Sequence, residues 1–288
     1  MTTVGSISGK AKVAGVMGWP IGHSRSPRLH GFWLRQYGID GAYVPLAVVP
    51  ERAEQAIRAL PALGFRGCNV TVPLKEIAYR TVDRLDETAR RMGAVNTIVV
   101  ADDGALEGGN TDGFGFIENL RAEQPSWTAE NGSAVVIGAG GAARAVVVAL
   151  LDAGAPEVRL VNRTRARAED LAADLAAVGF SGGVTVLDWV SRETALDGAG
   201  LLVNTTTQGM AGQPALDLSL RALPVSAVVN DIVYVPLETP LLAEARMRGN
   251  PVAGGIGMLL HQARPGFKAW FGIEPQVTAE LTRFVLEG

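Results

Sequence analysis

A glycine-rich turn between two apolar runs constrains the fold of this chain more than any other feature of its sequence. The turn, Gly138–Ala143, follows the apolar run Ser133–Ile137, and an apolar helical segment then leads to a second run, Glu157–Val161. This pattern predicts a strand–helix–strand unit in which Gly138 permits a tight turn and Gly140 lets the backbone approach a pyrophosphate closely. Because the amino end of the helix directs its N–H groups at the phosphates, the sequence predicts a dinucleotide-binding α/β domain.

The residues after the second predicted strand indicate which nucleotide is bound. A site for NAD has Asp or Glu about 20 residues beyond the turn, where the carboxylate holds the ribose 2′-hydroxyl. Here the segment Asn162–Arg167 carries three arginines and no acid, and the nearest acids are Glu157 and Glu169. Guanidinium groups pair well with phosphate oxygens. The alternative is that these arginines are merely solvated at the start of a helix, but cations at that end oppose the helix dipole. The segment therefore favours NADP over NAD.

Length and composition indicate an ordinary two-domain globular protein without a bound metal. The 288 residues suffice for two cores, and 26 basic against 29 acidic residues give a net charge of −3, which provides no basic surface for nucleic acid or an anionic membrane. Cys68 is the single cysteine, which excludes an internal disulfide and is typical of a reducing compartment. The histidines show no metal-binding spacing, and the first residues contain no apolar signal segment. We expect a cytoplasmic monomer or homodimer with neither nucleic-acid nor membrane contacts.

Residues before the glycine-rich turn alternate strand-like and helix-like runs, which predicts a separate α/β domain. One helix is expected over 27–37 with Ser26 as its N-cap, and a hairpin turn is expected at Asp102–Gly104. Beyond the turn, apolar runs separated by helical segments predict a doubly wound parallel sheet, and a substrate would bind between the two domains. A helix over 257–270, kinked or broken at Pro265-Gly266, is expected near the end. The other strands are expected at 13–18, 43–49, 67–72, 95–100, 184–187, 201–204, 227–232 and 252–254, and the other helices at 51–62, 76–91 with an interruption, 112–122, 164–177, 240–248 and 275–286.

Polar groups of the first domain cluster at the ends of predicted elements, where they can converge on a ligand. Ser24 and Ser26 stand at a helix start, so their hydroxyls and the free N–H groups either form a site for a carboxylate or merely cap the helix. Asn69 and Thr71 are expected on one face of a strand, at i and i+2, and Lys75 follows at the next helix start. Lysine is usually a surface residue, so Lys75 alone does not establish a site.

Two further polar residues leave a structural and a functional interpretation open. Asn96 interrupts an otherwise apolar strand, and a buried amide must be paired, so it either binds backbone groups or holds ligand hydroxyls. Asp112 either caps the helix that it opens or forms an ion pair with Lys75, in which each charge stabilises the other. Capping is the commoner role for an Asp in this position.

Ordered segments along the chain, taken together, resemble the shikimate dehydrogenase family closely. They are PIGHSRSPRLH (20–30), GCNVTVPLK (67–75), GAVNT (93–97), GNTDGFG (109–115), GAGGAARA (138–145), NRTRARA (162–168), NTTTQGM (204–210), DIVYVPLETPLL (231–242) and GIGMLLHQA (255–263). The sequence departs from the family pattern at Gly31, where Asn is usual, at Gly254, where Asp is usual, and at Pro265-Gly266. These departures remove no proposed catalytic group, although the last could alter how the C-terminal helices pack.

The resemblance implies a two-domain α/β enzyme that reduces 3-dehydroshikimate to shikimate with NADPH, on the chorismate route to the aromatic amino acids. Residues 1–111 and 256–288 are then the substrate-binding and catalytic domain, and residues 112–255 are the Rossmann-type NADP-binding domain. Lys75 matches the catalytic lysine, the general acid or base, and Asp112 would orient it. Gln262 would bind substrate from the C-terminal tail, so the C-terminal helices should pack back on the first domain.

The resemblance also carries a set of binding residues onto matching positions of this sequence. Ser24 and Ser26 match the groups that bind the substrate carboxylate. The groups near the ring hydroxyls match Asn69, Thr71, Asn96, Asp112, Tyr234 and Gln262. The pyrophosphate loop matches Gly138, Ala139, Gly140, Gly141 and Ala142, the 2′-phosphate and adenine contacts match Asn162, Arg163, Thr164 and Arg167, and contacts near the nicotinamide match Glu87, Ile232 and Gly255.

Other functions are compatible with the same fold. A quinate/shikimate dehydrogenase that uses NAD is disfavoured by the acid-free segment Asn162–Arg167 and by Ser24 and Ser26, which suit the narrower substrate. A catalytically silent NADPH-binding regulator has the same fold, but the presence of both Lys75 and Asp112 argues against it. A folate-type dehydrogenase of similar build is disfavoured by the carboxylate-binding serines and the GNTDG segment.

Overall fold

The computed structural model describes residues 7–180 and 183–287, which form two compact units. The first unit comprises the described residues up to Thr111 and those from Gln262 onward, and the second comprises the described residues of Asp112–His261. The strands are β1 (Lys12–Gly18), β2 (Gly41–Ala47), β3 (Phe65–Val70), β4 (Arg84–Leu85), β5 (Thr97–Val100), β6 (Leu106–Gly109), β7 (Ala134–Ile137), β8 (Val158–Val161), β9 (Val184–Leu187), β10 (Leu201–Asn204), β11 (Val228–Asp231) and β12 (Val252–Ala253). The α-helices are α1 (Ser26–Gln36), α2 (Ala53–Ala59), α3 (Lys75–Thr81), α4 (Glu87–Met92), α5 (Asp112–Glu123), α6 (Gly141–Asp152), α7 (Arg165–Ala177), α8 (Pro240–Arg248), α9 (Ile256–Phe271) and α10 (Ala279–Leu286).

The first unit is built on a mixed sheet with the strand order β2-β1-β3-β5-β6-β4. β1 runs parallel to β2 and β3, whereas β5 runs antiparallel to β3 and β6. The predicted hairpin turn at Asp102–Gly104 is confirmed between β5 and β6. The segments after β1 and β3 and the residues before β5 therefore lie at one edge of this sheet, which brings the polar motifs of the first unit together.

Local signals account for the helix boundaries in this unit. The helix expected over 76–91 is divided into α3 and α4, because β4 pairs with β6 between them. α4 begins after Asp86, whose Oδ1 accepts a hydrogen bond from the Ala89 N–H (2.6 Å), and it ends at Gly93, which adopts a left-handed φ of +61°. Such a cap contributes about 1 kcal/mol to helix stability.

The C-terminal helices pack on the first unit, which confirms the expected return of the chain. The Trp270 indole in α9 donates to the Ile98 carbonyl of β5 (3.0 Å), and the Trp33 indole in α1 donates to the Gln276 carbonyl (3.0 Å). Gly67 makes this contact possible: its φ is +154°, and a Cβ there would lie 2.1 Å from Trp270 Nε1. The close approach of α9 to the sheet thus requires glycine at this position.

The second unit is a parallel sheet with the order β12-β11-β10-β7-β8-β9, which confirms the predicted doubly wound fold. Counted from β7, this is the 3-2-1-4-5-6 arrangement of dinucleotide-binding domains. The central strands are buried on both faces, as their continuous apolar sequences require. In such sheets the order reverses between the first and fourth strands, here β7 and β10, so a ligand is expected beyond the carboxyl ends of these two strands.

A break at Pro265-Gly266 is wrong, because α9 continues from Ile256 to Phe271 through both residues, whereas the kink stays a prediction. A proline inside a helix removes one backbone hydrogen bond and costs about 3 kcal/mol. Packing offsets this cost here, since Phe267 and Trp270 in the following turn are almost fully buried. Within the described residues, no helix is both long and apolar enough to cross a membrane.

Candidate active site

The start of α1 places two serines differently from the prediction. Ser26 is the first residue of the helix, and Arg25 occupies the N-cap position without a side-chain capping bond, so the assignment of Ser26 as N-cap is wrong. Arg25 already has helical backbone angles, and its guanidinium donates to the Val285 carbonyl (2.6 Å), a partner far away in sequence. Ser24 Oγ accepts from the Ser26 N–H (3.3 Å), so Ser24 satisfies one of the free amide groups of the helix start.

The end of β3 presents Asn69, whose buried side chain makes three hydrogen bonds inside the first unit. Its Nδ2 donates to the Asn96 carbonyl and to Thr97 Oγ1 (both 3.1 Å), and its Oδ1 accepts from the Tyr43 hydroxyl (2.6 Å). Both amide protons are therefore used within the protein, and Oδ1 is the atom left to accept from a ligand. β3 ends at Val70 rather than at the predicted residue 72, so Thr71 lies just beyond the strand, where its N–H donates to the Met17 carbonyl (2.9 Å). The face that it shares with Asn69 stays a prediction.

Asn96 lies one residue before β5 rather than inside it, because the antiparallel pairing with β3 begins at Thr97. Its Oδ1 accepts from the Thr111 N–H (2.9 Å) and from Thr97 Oγ1 (2.9 Å), and its Nδ2 lies 3.2 Å from Thr111 Oγ1. Of the two interpretations left open by the sequence, pairing to backbone is thus confirmed. Asn96 fixes the segment that leads into Asp112, and its contact with a substrate hydroxyl stays a prediction.

Lys75 and Asp112 each open a helix, as the sequence predicts. Lys75 is the first residue of α3, is half-buried, and its carbonyl accepts from the Val95 N–H (3.0 Å), which ties α3 to the segment before Asn96. α5 begins at Asp112 itself, directly after Thr111. Gln262 lies in the part of α9 that belongs to the first unit. These placements leave the roles of the three side chains as predictions.

The glycine turn of the second unit joins β7 to α6 at the reversal of strand order. Gly138 adopts φ +120°, its N–H donates to the Val161 carbonyl (2.9 Å), and a Cβ there would lie 2.4 Å from Thr205 Oγ1 at the end of β10. Only glycine fits this position. A Cβ at Gly140 or Gly141 would meet no atom within 4 Å, so the amino end of α6 is open to a ligand. The turn therefore suits a pyrophosphate, and Ala139 and Ala142 are half-buried beside it.

The arginines after β8 fall into two groups. Arg165 is engaged by two carboxylates, Glu169 (2.7 Å) and Asp188 (2.8 Å). Arg163 and Arg167 are exposed, and neither guanidinium has a hydrogen bond or ion pair within the part of the chain that the structure describes. The segment is shaped by Asn162, whose Nδ2 donates to the carbonyl of the exposed Thr164 (2.8 Å). Two unpaired guanidinium groups beside the nucleotide turn are the donors that a 2′-phosphate requires.

The residues expected near the nicotinamide are divided between the two units. Gly255 packs directly on Ile232, since a Cβ at Gly255 would lie 2.2 Å from the Ile232 carbonyl oxygen. Tyr234 follows after β11 and is half-buried. Glu87 belongs to the first unit, where it opens α4 and pairs with Arg91 (2.7 Å). Its predicted contact with the cofactor stays a prediction.

Sequence reasoning missed a buried acid that organises the loops of the second unit. Asp231, at the end of β11, accepts from Thr239 Oγ1 (2.7 Å), Asn204 Nδ2 (3.0 Å) and the Val233 N–H (3.1 Å). Burial raises the pKa of Asp231, and the hydrogen bonds oppose this rise. The signal was present, because Asn204 and Asp231 begin two of the ordered segments noted above. Their pairing fixes the loop that carries Ile232.

The two units together define an α/β dehydrogenase of the dinucleotide-dependent class. One unit carries an open glycine turn at the reversal of a parallel sheet, and the other carries amides and hydroxyls that contact one another, together with a lysine at the start of α3. Residues 16–98 match the family model described as the shikimate dehydrogenase substrate binding domain, and residues 121–185 match that described as shikimate / quinate 5-dehydrogenase.

Relatives and solved structures agree with these matches. The chain is 65% identical to the shikimate dehydrogenase (NADP(+)) of Paramagnetospirillum magneticum over 97% of this chain and 100% of the relative. It resembles the structure of shikimate 5-dehydrogenase from Thermus thermophilus in complex with NADP(H) and shikimate, at a TM-score of 0.83 and 35% identity over 96% of this chain and 99% of that one. It also resembles quinate dehydrogenase from Corynebacterium glutamicum in complex with NAD, at a TM-score of 0.88 and 30% identity over 96% of this chain and 99% of that one. The chain belongs to the shikimate dehydrogenase family.

Proposed function

We propose that the protein catalyses the reversible NADPH-dependent reduction of 3-dehydroshikimate to shikimate. The observation that carries this proposal is the 65% identity, over 97% of this chain, to a shikimate dehydrogenase (NADP(+)). The open turn at Gly140 and the unpaired Arg163 and Arg167 support NADP as the cofactor. The proposal places the enzyme in the cytoplasm as a monomer or homodimer, on the route to chorismate.

Each unit supplies one part of the proposed site. Ser24 and Ser26, near the start of α1, would hold the substrate carboxylate, and Asn96 would hold a ring hydroxyl. By the family resemblance, other groups of the substrate would lie near Asn69, Thr71, Tyr234 and Gln262. The turn from Gly138 to Ala142 would hold the pyrophosphate, and Arg163 and Arg167 the 2′-phosphate.

Bound NADPH supplies the hydride that reduces the C3 carbonyl, and the protein handles the proton. Lys75 Nζ would donate a proton to the developing alkoxide, and in the reverse reaction it would accept the proton of the C3 hydroxyl. Asp112 would orient Lys75 and bind the same hydroxyl, which converts proton transfer into a step between fixed partners. The half-buried position of Lys75 at the start of α3 supports this role, since its backbone is already fixed by Val95.

The proposal is tested by following reduced nicotinamide absorbance with shikimate or quinate and NADP+ or NAD+ in all four combinations. We expect shikimate with NADP+ to be the best pair by kcat/KM. The structural likeness to an NAD-bound quinate dehydrogenase makes quinate with NAD+ the second candidate, and a higher kcat/KM for that pair would replace the proposal. No turnover with any pair would indicate a silent NADPH-binding protein.

Replacing Lys75 with alanine separates catalysis from binding. A general acid contributes about 10²- to 10⁴-fold to the rate, so Lys75→Ala should lower kcat by about that factor with little change in KM for shikimate. Lys10→Ala, at an exposed position outside the site, is the matched control and should behave as wild type. Near-normal kcat in Lys75→Ala would show that the lysine does not transfer the proton.

A further inference from the structure

Tyr43 is a buried tyrosine that the proposed mechanism leaves without a role. It lies in β2 with 7% of its surface exposed, and its ring stacks on the His30 ring at a centroid distance of 3.9 Å and an interplanar angle of 7°. Trp270 packs against the same ring at 5.9 Å. Burial raises the pKa of Tyr43 well above its ordinary value, so its hydroxyl keeps its proton. Aromatic packing therefore fixes the position of one buried proton donor.

The direction of the hydrogen bond from Tyr43 follows from the backbone around it. The Asn96 carbonyl can only accept, so Asn69 must present Nδ2 to it (3.1 Å) and Oδ1 to the Tyr43 hydroxyl (2.6 Å). An amide oxygen also only accepts. The single hydroxyl proton of Tyr43 is therefore committed to Asn69.

The chain of hydrogen bonds that starts at Tyr43 continues to Asn96. The Thr111 N–H can only donate, so the atom of Asn96 facing it at 2.9 Å is Oδ1. Thr97 Oγ1 lies between the two amides: it accepts from Asn69 Nδ2 (3.1 Å), and Asn96 Oδ1 (2.9 Å) is a nearer acceptor for its proton than Thr111 Oγ1 (3.4 Å). The result is one hydrogen-bond chain with a single direction, from Tyr43 through Asn69 and Thr97 to Asn96.

We propose that Tyr43 is a positioning residue for substrate binding, which sets the orientation of the Asn69 and Asn96 side chains through this chain. The inference rests on the proposed function, in which both amides face the ring hydroxyls of the substrate. Without the Tyr43 hydroxyl, Asn69 Oδ1 loses its buried donor, and an unpaired buried acceptor is costly. Asn69 then gains from moving toward another donor, which disturbs Thr97 and Asn96 in turn. The substrate pocket loses its fixed pattern of donors and acceptors, whereas the second unit is unaffected.

The test is Tyr43→Phe, which keeps the stacked ring and removes only the hydroxyl. We expect KM for shikimate to rise about tenfold, which corresponds to about 1.4 kcal/mol, while kcat changes much less and KM for NADP+ stays at its wild-type value. Tyr37→Phe is the matched control, because it removes a hydroxyl that accepts from the Gln276 N–H (3.1 Å) on the same aromatic cluster. This control should leave KM for shikimate unchanged.

A second variant tests the chain itself. Thr97→Val removes the relay hydroxyl with little change of shape and should also raise KM for shikimate about tenfold. In the double variant Tyr43→Phe/Thr97→Val the rise should stay near tenfold, because both changes interrupt one chain, whereas independent structural effects would multiply to about a hundredfold. An unchanged KM in Tyr43→Phe or Thr97→Val, an equal rise in Tyr37→Phe, or a hundredfold rise in the double variant would overturn the inference. Absence of shikimate turnover by the wild-type enzyme would instead refute the proposed function.

Discussion

His30 should make the stability of the protein depend on pH, and this dependence begins above the range in which most carboxylates titrate. The imidazole is fully buried, and neither ring nitrogen has a hydrogen-bond partner among the described residues. It packs against Trp33, Tyr43, Phe267 and Trp270, of which only Tyr43 is titratable, and that hydroxyl stays neutral. Burial lowers the pKa of His30 from 6.5 to about 3, because no group compensates the charge of an imidazolium there.

The sign and size of the effect follow from proton binding in the two states. Between pH 6.5 and about 3 the unfolded chain binds a proton at His30 and the folded chain does not, so the free energy of unfolding falls as the pH is lowered. Each pH unit within this window costs about 1.4 kcal/mol. Lowering the pH from about 7.5 to about 5.5 should therefore remove about 1.4 kcal/mol of stability through His30 alone, and about 5 kcal/mol would be lost over the whole window.

Urea unfolding followed by tryptophan fluorescence at the two pH values measures this loss. His30→Phe keeps an aromatic ring in the cluster and removes the titration, so its free energy of unfolding should fall less between about pH 7.5 and about pH 5.5, by about 1.4 kcal/mol, than that of the wild type. His23→Gln, which replaces an exposed histidine, should lose stability as the wild type does. Equal losses in wild type and His30→Phe would refute the assignment of a neutral buried imidazole.

Two further substitutions test the cofactor site and the packing of the C-terminal helices. In steady-state kinetics, Arg163→Ala should raise KM for NADP+ about tenfold or more and leave KM for NAD+ unchanged, because a hydrogen bond to a charged group contributes about 1.5–3 kcal/mol. Arg165→Ala should leave both KM values near wild type, because the partners of Arg165 are carboxylates of the protein. Equal effects of the two variants would contradict the 2′-phosphate assignment. Gly67→Ala should lower the thermal unfolding midpoint strongly, because the added Cβ would lie 2.1 Å from Trp270 Nε1. Gly9→Ala should not lower it, because Gly9 has open space around it. A midpoint of Gly67→Ala within a degree or so of wild type would show that α9 can move aside.

The sequence predicts the second unit well because its strands are short and mostly apolar, and helical segments separate them. β9, β10 and α8 begin and end at the predicted residues, and the parallel order follows from the alternation of strands and helices. The errors lie where distant contacts decide a boundary. Arg25 rather than Ser26 occupies the N-cap position of α1, and its side chain is held by Val285, which is far away in sequence. Pro265 is tolerated inside α9 because the following turn is buried against the sheet.

The candidate site, like the fold, could be predicted from the sequence only in part. Family motifs locate Lys75, Asp112 and the glycine turn, but they do not show which polar groups contact one another. Tyr43 and Thr97 have side chains common in strands, and their involvement depends on the antiparallel register that places Asn69 opposite Thr97. A usable signal did exist for Tyr43, because a buried tyrosine hydroxyl usually requires a partner. Which partner it finds is a property of the tertiary structure.

Both units hold their functional loops by the same physical means. In the first, backbone groups of Asn96 and Thr111 fix the orientation of two buried amides. In the second, Asn204 and the Val233 N–H converge on the buried carboxylate of Asp231, which joins the ends of β10 and β11. Exposed ion pairs contribute less than about 1 kcal/mol each, whereas a buried polar group left unpaired costs about 1–3 kcal/mol. These few buried hydrogen bonds therefore determine loop geometry far more than the many ion pairs at the surface. We therefore expect residues that never touch the substrate to influence how tightly it binds.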